Sequence, residues 1–261
     1  MTQAASTTNE TQGTEAPMAR CWICGRPADS GEHKAKKSDL RAVQRHVSQA
    51  RPLILNDANS KNRKVSGLNA DPLKWPKSLC QDCNTTLTQP YDRAWEAVSA
   101  ALGGWTPPLR PGSVVRANRI FPMDTARSML AVHLYFVKAF GCLVVEAAKQ
   151  GKATNINVPG LATAIKNGRA YSDIYLGFGI PKRIVEGPIV SGDDLHTIAE
   201  NDGSLIGAWW HYNVNGICVR IVYVPSRPQA VLLAKKEGLW HPRDGGHRFV
   251  VRDWTDEAQS E

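Results

Sequence analysis

Two short stretches decide how this sequence is read: Cys21-Trp22-Ile23-Cys24 and, after 55 intervening residues, Cys80-Gln81-Asp82-Cys83. A two-residue spacer lets both sulfurs of a pair face one ion, and two such pairs close a tetrahedral site of four thiolates. Disulfides need an oxidising compartment, and the N-terminus lacks the basic start and apolar run of a secretory leader. A thioredoxin-type redox pair explains one C-x-x-C and not two. A structural zinc explains both, and an iron–sulfur cluster is the other group that the same thiolates could hold. Cys142 and Cys218 stand alone in apolar text and read as buried core residues.

Around these pairs the charge is unevenly spread. The 261 residues carry a formal +8, yet residues 20–119 alone hold 17 basic and 8 acidic side chains, a net +9. A localised basic field attracts a polyanion by counterion release, so nucleic acid is the expected partner, DNA ahead of RNA. Hydrophobic residues at 42% and charged residues at 21% exclude a wholly disordered chain, a collagen-like chain and a disulfide-packed miniprotein. The most apolar run, Met129 to Ala148, is interrupted by His133, Lys138 and Glu146. Each would be costly at a bilayer centre, so a buried helix, no membrane partner and a cytoplasmic protein are expected.

The text divides into two units. Residues 1–18 read as a disordered polar tail and 19–102 as a metal-binding module. The Pro/Gly cluster at 103–113 reads as a linker, 114–254 as a second domain of unassigned role and 255–261 as a tail. The second unit opens with a helix after Asp124 and continues with a short helix over Val158 to Lys166. Strand-like runs follow at 174–178, 205–212 and 217–224, the last two forming a hairpin, with further strands expected at 231–233 and 248–251. Helices followed by strands predict an α+β domain with a mainly antiparallel sheet. That domain leaves room for a homodimer built through it. The loop His241 to His247 reads as a turn rather than a metal site, and Asp193, Asp194 and His196 read as turn or cap residues.

Eight residues after Cys24 stands Glu32-His33, and Asn84 directly follows Cys83. With Cys21-x-x-Cys24-Gly25 and Leu79-Cys80-x-x-Cys83-Asn84, residues 19–102 resemble the HNH (ββα-metal) endonuclease superfamily in its zinc-stapled, treble-clef form. The resemblance implies a hydrolase that cuts nucleic-acid phosphodiester bonds with a divalent metal. His33 would then be the general base, and Glu32 and Asn84 the oxygen ligands of one Mg2+ or related ion. Cys21, Cys24, Cys80 and Cys83 would hold a structural zinc with no open position. Family members usually carry a middle Asn before the second knuckle, whereas Leu73 to Leu79 contains none. The alternative is a non-catalytic, zinc-stapled nucleic-acid-binding protein on the same scaffold.

Basic residues crowd this segment. Lys34, Lys36, Lys37, Arg41 and Arg45 follow His33, with Arg41 and Arg45 spaced to share a helix face, and Lys61, Arg63 and Lys64 form a second patch. Both are expected to bind nucleic acid through its phosphates. Asp92 and Arg93 read as helix-surface residues.

Overall fold

In a computed structural model the described residues are 19–57, 60–152, 155–181, 189–192, 194–214, 216–244 and 246–254. The two expected tails and Asp193 lie outside them. The chain is mixed α and β, with helices and a mainly antiparallel sheet.

The first segment contributes α1 (Lys37–Val43), the hairpin β1 (Leu53–Asp57) and β2 (Ser60–Val65), and α2 (Gln89–Gly103). Pro90 sits in the first turn of α2, where its missing N–H costs nothing. After the Pro/Gly stretch come β3 (Val114–Arg116), α3 (Thr125–Lys149) and α4 (Val158–Asn167). Asp124 is the N-cap position of α3, and Gly168 ends α4 in the left-handed conformation, φ 59°. The remaining elements are β4 (Ile174–Pro181), β5 (Ile189–Gly192), β6 (His196–Ala199), β7 (Leu205–Val214), β8 (Ile217–Tyr223), α5 (Arg227–Glu237) and β9 (Arg248–Trp254).

One sheet runs β2-β1-β5-β7-β8-β4-β9-β3, with β6 beside β7; the β1–β5 and β4–β9 pairings are parallel and the rest antiparallel. The hairpin of the first segment and the strands of the second therefore share one sheet. They also share a core: Leu40, Leu53 and Trp95 belong to the same buried cluster as Phe136, Ile174 and Val219. The Pro/Gly stretch joins two segments that fold around common side chains. At the centre is α3, a helix long and apolar enough to cross a membrane but mostly buried here against the protein's own elements. Trp95 of α2 stacks on Tyr135 and meets Phe136 edge to face, and both α3 rings face Tyr212 of β7.

The strands expected at 174–178, 205–212 and 248–251 lie within β4, β7 and β9, and that expected at 217–224 matches β8 except for Val224. Residues 231–233 are instead helical, in the middle of α5. Pro228 fits its first turn, Gly238 ends it at φ 62°, and Leu232 is 68% exposed. Three apolar residues in a row carry no period that separates a strand from a helix, so the helix formers and end signals around them decide.

Candidate metal centre and the acid–histidine segment

The backbone brings the two C-x-x-C pairs together. Cys21 and Cys24 lie on a tight turn closed by Gly25 N–H donating to the Cys21 carbonyl, with Gly25 at φ 79°, a conformation that favours glycine. Cys80 and Cys83 lie at a wide helical turn, Asp82–Leu87, that leads into α2. All four sulfurs fall within 4.8 Å of one another, and Cys24 and Cys80 are 3.5 Å apart. A tetrahedral ion with bonds of about 2.3 Å sets sulfurs about 3.8 Å apart, so the donor set fits a metal ion such as zinc. Among the described residues no other group of His, Cys, Asp and Glu comes together in this way.

Arg26, missed in the sequence, completes this centre. Its guanidinium donates to Cys24 Sγ at 3.5 Å, to Cys80 Sγ at 3.4 Å and to Asp82 Oδ2 at 2.7 Å. Burial opposes ionisation of Cys24, but hydrogen bonds from Arg26 and the neighbouring Cys80 and Cys83 together outweigh it and draw the thiol down to about 6. The first knuckle is docked on α3 through Trp22. A Cβ on Gly141 would lie 2.5 Å from the Trp22 ring, so only glycine admits this approach.

Residues 30–34 run extended and antiparallel to 73–79. Ser30 N–H donates to the Leu79 carbonyl, Trp75 N–H to Glu32 and Lys34 N–H to Leu73. Gly31 is where the strands come closest, since a Cβ there would meet the Trp75 carbonyl at 2.7 Å. Alternate residues of an extended chain point to opposite sides. Ser30 and Glu32 turn toward the helices, and His33 turns the other way, its Nε2 3.1 Å from the Leu68 carbonyl. The acid and the histidine, adjacent in sequence, thus serve different surroundings.

Glu32 Oε2 accepts from Lys138 Nζ at 3.0 Å, and the same ammonium donates to Asp92 Oδ1 at 2.8 Å and Thr88 Oγ1 at 3.4 Å. Lys138 is fully buried and Glu32 is 7% exposed. Burial alone would strip the lysine of its proton; the two carboxylates overcome it and hold its pKa above the usual ammonium value. Burial likewise raises Glu32, against the pull of Lys138. Lys36 closes the outer side, with Nζ 3.3 Å from Asp92 and 3.4 Å from Glu96. Three oxygen donors, of the kind a hard cation takes, surround an ammonium. Glu32 Oε2 is thus committed to the Lys138 ammonium. Asn84 Nδ2 donates to Ser30 Oγ at 2.9 Å, and its Oδ1 is buried with no hydrogen-bond partner among the described residues. Asp92, expected at the helix surface, is half-buried in this network.

A second acid anchors the same region. Asp39 of α1 is buried and accepts from Trp95 Nε1 at 2.8 Å, Ser99 Oγ at 2.6 Å and Tyr212 Oη at 2.6 Å. His33 is half-buried, and burial takes its imidazole down to about 4, despite the opposing Leu68 carbonyl. At neutral pH the ring is uncharged.

The predicted basic residues divide. Lys36 is committed to its ion pairs and Lys37 is half-buried. Lys34 is half-buried on the strand that carries His33. Arg41, Arg45, Lys61, Arg63 and Lys64 are exposed and make no ion pair among the described residues. Arg45 does not share a helix face with Arg41, because α1 ends at Val43. Elsewhere, His241 is buried and His196 stacks on Trp209. Compared with family models, curated proteins and solved structures, the chain finds no match in any of the three.

Proposed function

We propose that this chain is a zinc-stapled nucleic-acid-binding protein on an HNH-type scaffold whose catalytic cation position has been given over to a lysine. The observation that carries this reading is Lys138: an ammonium, sealed from solvent, takes the oxygen of Glu32 that a catalytic ion would need. A treble-clef arrangement is supported by one ligand pair on a tight turn and the other leading into α2. Zinc suits four thiolates, which leave it no open position and give it a structural role. Arg41, Arg45, Lys61, Arg63 and Lys64, which are exposed and make no ion pair among the described residues, supply cations for a phosphodiester backbone, DNA ahead of RNA.

A metal-dependent HNH endonuclease is the second reading, and one observation favours it. His33 is neutral, and the Leu68 carbonyl orients Nε2 so that Nδ1 is left as the acceptor, as a general base requires.

One pair of assays tests both. Fluorescence anisotropy on DNA and RNA oligonucleotides is measured from about 50 to about 200 mM salt. Neutralising about four phosphates should lower affinity roughly a hundredfold over that range. A flat salt response, or no binding, removes the nucleic-acid reading. Plasmid and single-strand cleavage is then measured with Mg2+ or Mn2+. No cutting is expected; metal-dependent cutting that vanishes in His33→Ala would replace the binding reading with the nuclease.

A further inference from the structure

At the edge of the sheet opposite the β1–β2 hairpin, β3 pairs antiparallel with β9 and places Arg116 directly across from Arg248. Two like charges at opposed positions repel and weaken a strand pair. Neither guanidinium has a hydrogen-bond or ion-pair partner among the described residues, and the same holds for Asn118 and His247 beside them. These four side chains line a surface cleft of about 290 Å³.

The frame beneath the cleft is fixed. Val115 and Phe249, the neighbouring cross-strand pair, are buried, and Phe249 stacks on Phe178 with ring centroids 4.0 Å apart. Ala117 N–H donates to the His247 carbonyl at 2.7 Å, and Trp240 Nε1 donates to the Gly246 carbonyl at 2.8 Å, holding the approach to His247. Two arginines on the strand pair, with an amide and an imidazole at its end, thus line one cleft with their side-chain donors unspent among the described residues. Guanidinium groups present paired N–H donors that match the oxygens of phosphate, and an anion between them turns the Arg116–Arg248 repulsion into attraction.

We infer that the Arg116–Asn118–His247–Arg248 cleft binds a phosphate group. That phosphate could belong to a nucleic-acid backbone or to a small phosphorylated molecule. The site is independent of the reading of the Cys21–Asn84 segment and lies at the other end of the sheet from Lys61, Arg63 and Lys64.

The test is a titration of the full chain with inorganic phosphate and with a mononucleotide, followed by calorimetry and by the His247 ring resonances in NMR. The same titrations are run on Arg116→Gln/Arg248→Gln and, as a control, on Lys61→Gln/Arg63→Gln. Saturable binding that moves the His247 signals is expected. The Arg116/Arg248 variant should lose more than about tenfold in affinity, as removal of charge-assisted donors implies, and the control should lose none. Without phosphate, the Arg116/Arg248 variant should melt no lower than the wild type, because a repulsive pair has been removed, which separates loss of binding from loss of fold. An oligonucleotide arm distinguishes the two sources. A drop in oligonucleotide affinity in this variant marks a backbone site, and unchanged affinity with lost mononucleotide binding marks a small-molecule site. The inference is overturned if His247 does not respond to phosphate in the wild type, or if the Arg116/Arg248 variant binds phosphate as tightly.

Discussion

The two cation-centred clusters of the first segment solve one problem with opposite chemistry. At Cys21, Cys24, Cys80 and Cys83, soft thiolates gather around a position for a metal ion such as zinc, with Cys24 at the surface. Beside α3, Glu32, Asp92 and Thr88 gather around the ammonium of Lys138, which is tied covalently to the helix and out of reach of water. Each cluster joins parts of the chain far apart in sequence. The first is built to take an ion from outside, and the second carries its cation within. A metal centre can be emptied and refilled, whereas a lysine cage can be altered only by mutation.

The difference is sharpest when each cation is removed. Chelation, or Cys83→Ser, should release one metal ion per chain and abolish cooperative unfolding of the segment around it, since structural zinc supplies about 10–16 kcal/mol in small domains. Metal content beside a thermal melt checks this, and an unchanged melt after complete metal loss would refute it. Lys138→Met should cost about 3–5 kcal/mol in a denaturant titration, because Glu32 is left buried without its counter-charge and Asp92 keeps only Lys36. Combining it with Glu32→Gln and Asp92→Asn should recover most of that loss; no recovery would mean that the lysine stem, and not the charge, holds the helix.

Gly141→Ala probes the contact that ties the metal knuckle to α3. Alanine favours the helix by about 1 kcal/mol, but its methyl must displace Trp22, and overpacking costs about 1–3 kcal/mol. A net destabilisation with weakened metal retention is expected. A stabilised variant would show that the knuckle can move off α3 without consequence.

The smallest effect concerns acid. His133 and His241 are buried 5.2 Å apart, centroid to centroid, and burial holds both imidazoles below their usual pKa; Arg243 and, for His133, the neighbouring imidazole add to it. The unfolded chain takes up these protons near pH 6.5 while the folded chain does not, so stability is complete above that value and falls as pH drops below it. Denaturation midpoints at about pH 7.5 and 5.5 measure the slope. Ring resonances of both histidines should stay unprotonated in the folded protein over that range, and their titration near 6.5 would contradict the assignment.

Much of this was legible in the residues. The C-x-x-C spacing gave the metal cluster because a local spacer fixes sulfur geometry, and the alternating runs of the second segment gave β4, β7 and β8. The surroundings of Glu32 were not legible, because its partner Lys138 lies 106 residues away. A signal for that partner was present: a lysine inside the apolar run 129–148 cannot be fully buried alone and demands an acid. The motif pointed Glu32 at a second metal, and the tertiary contact gave it an ammonium. Arg26 had no signal beyond standing two residues from a ligand. The linker reading rested on Pro and Gly, which report local chain direction and say nothing about whether the flanking segments share a core.

The two end strands of the sheet path, β2 and β3, carry Lys61, Arg63 and Lys64 and Arg116 respectively, on edges that no further strand pairs among the described residues. Unsatisfied backbone on such an edge is a template for another chain, and positive side chains keep a second copy from extending the ladder. The cations at these edges therefore guard against self-assembly into larger sheets. Neutralising them should make the protein more prone to aggregate.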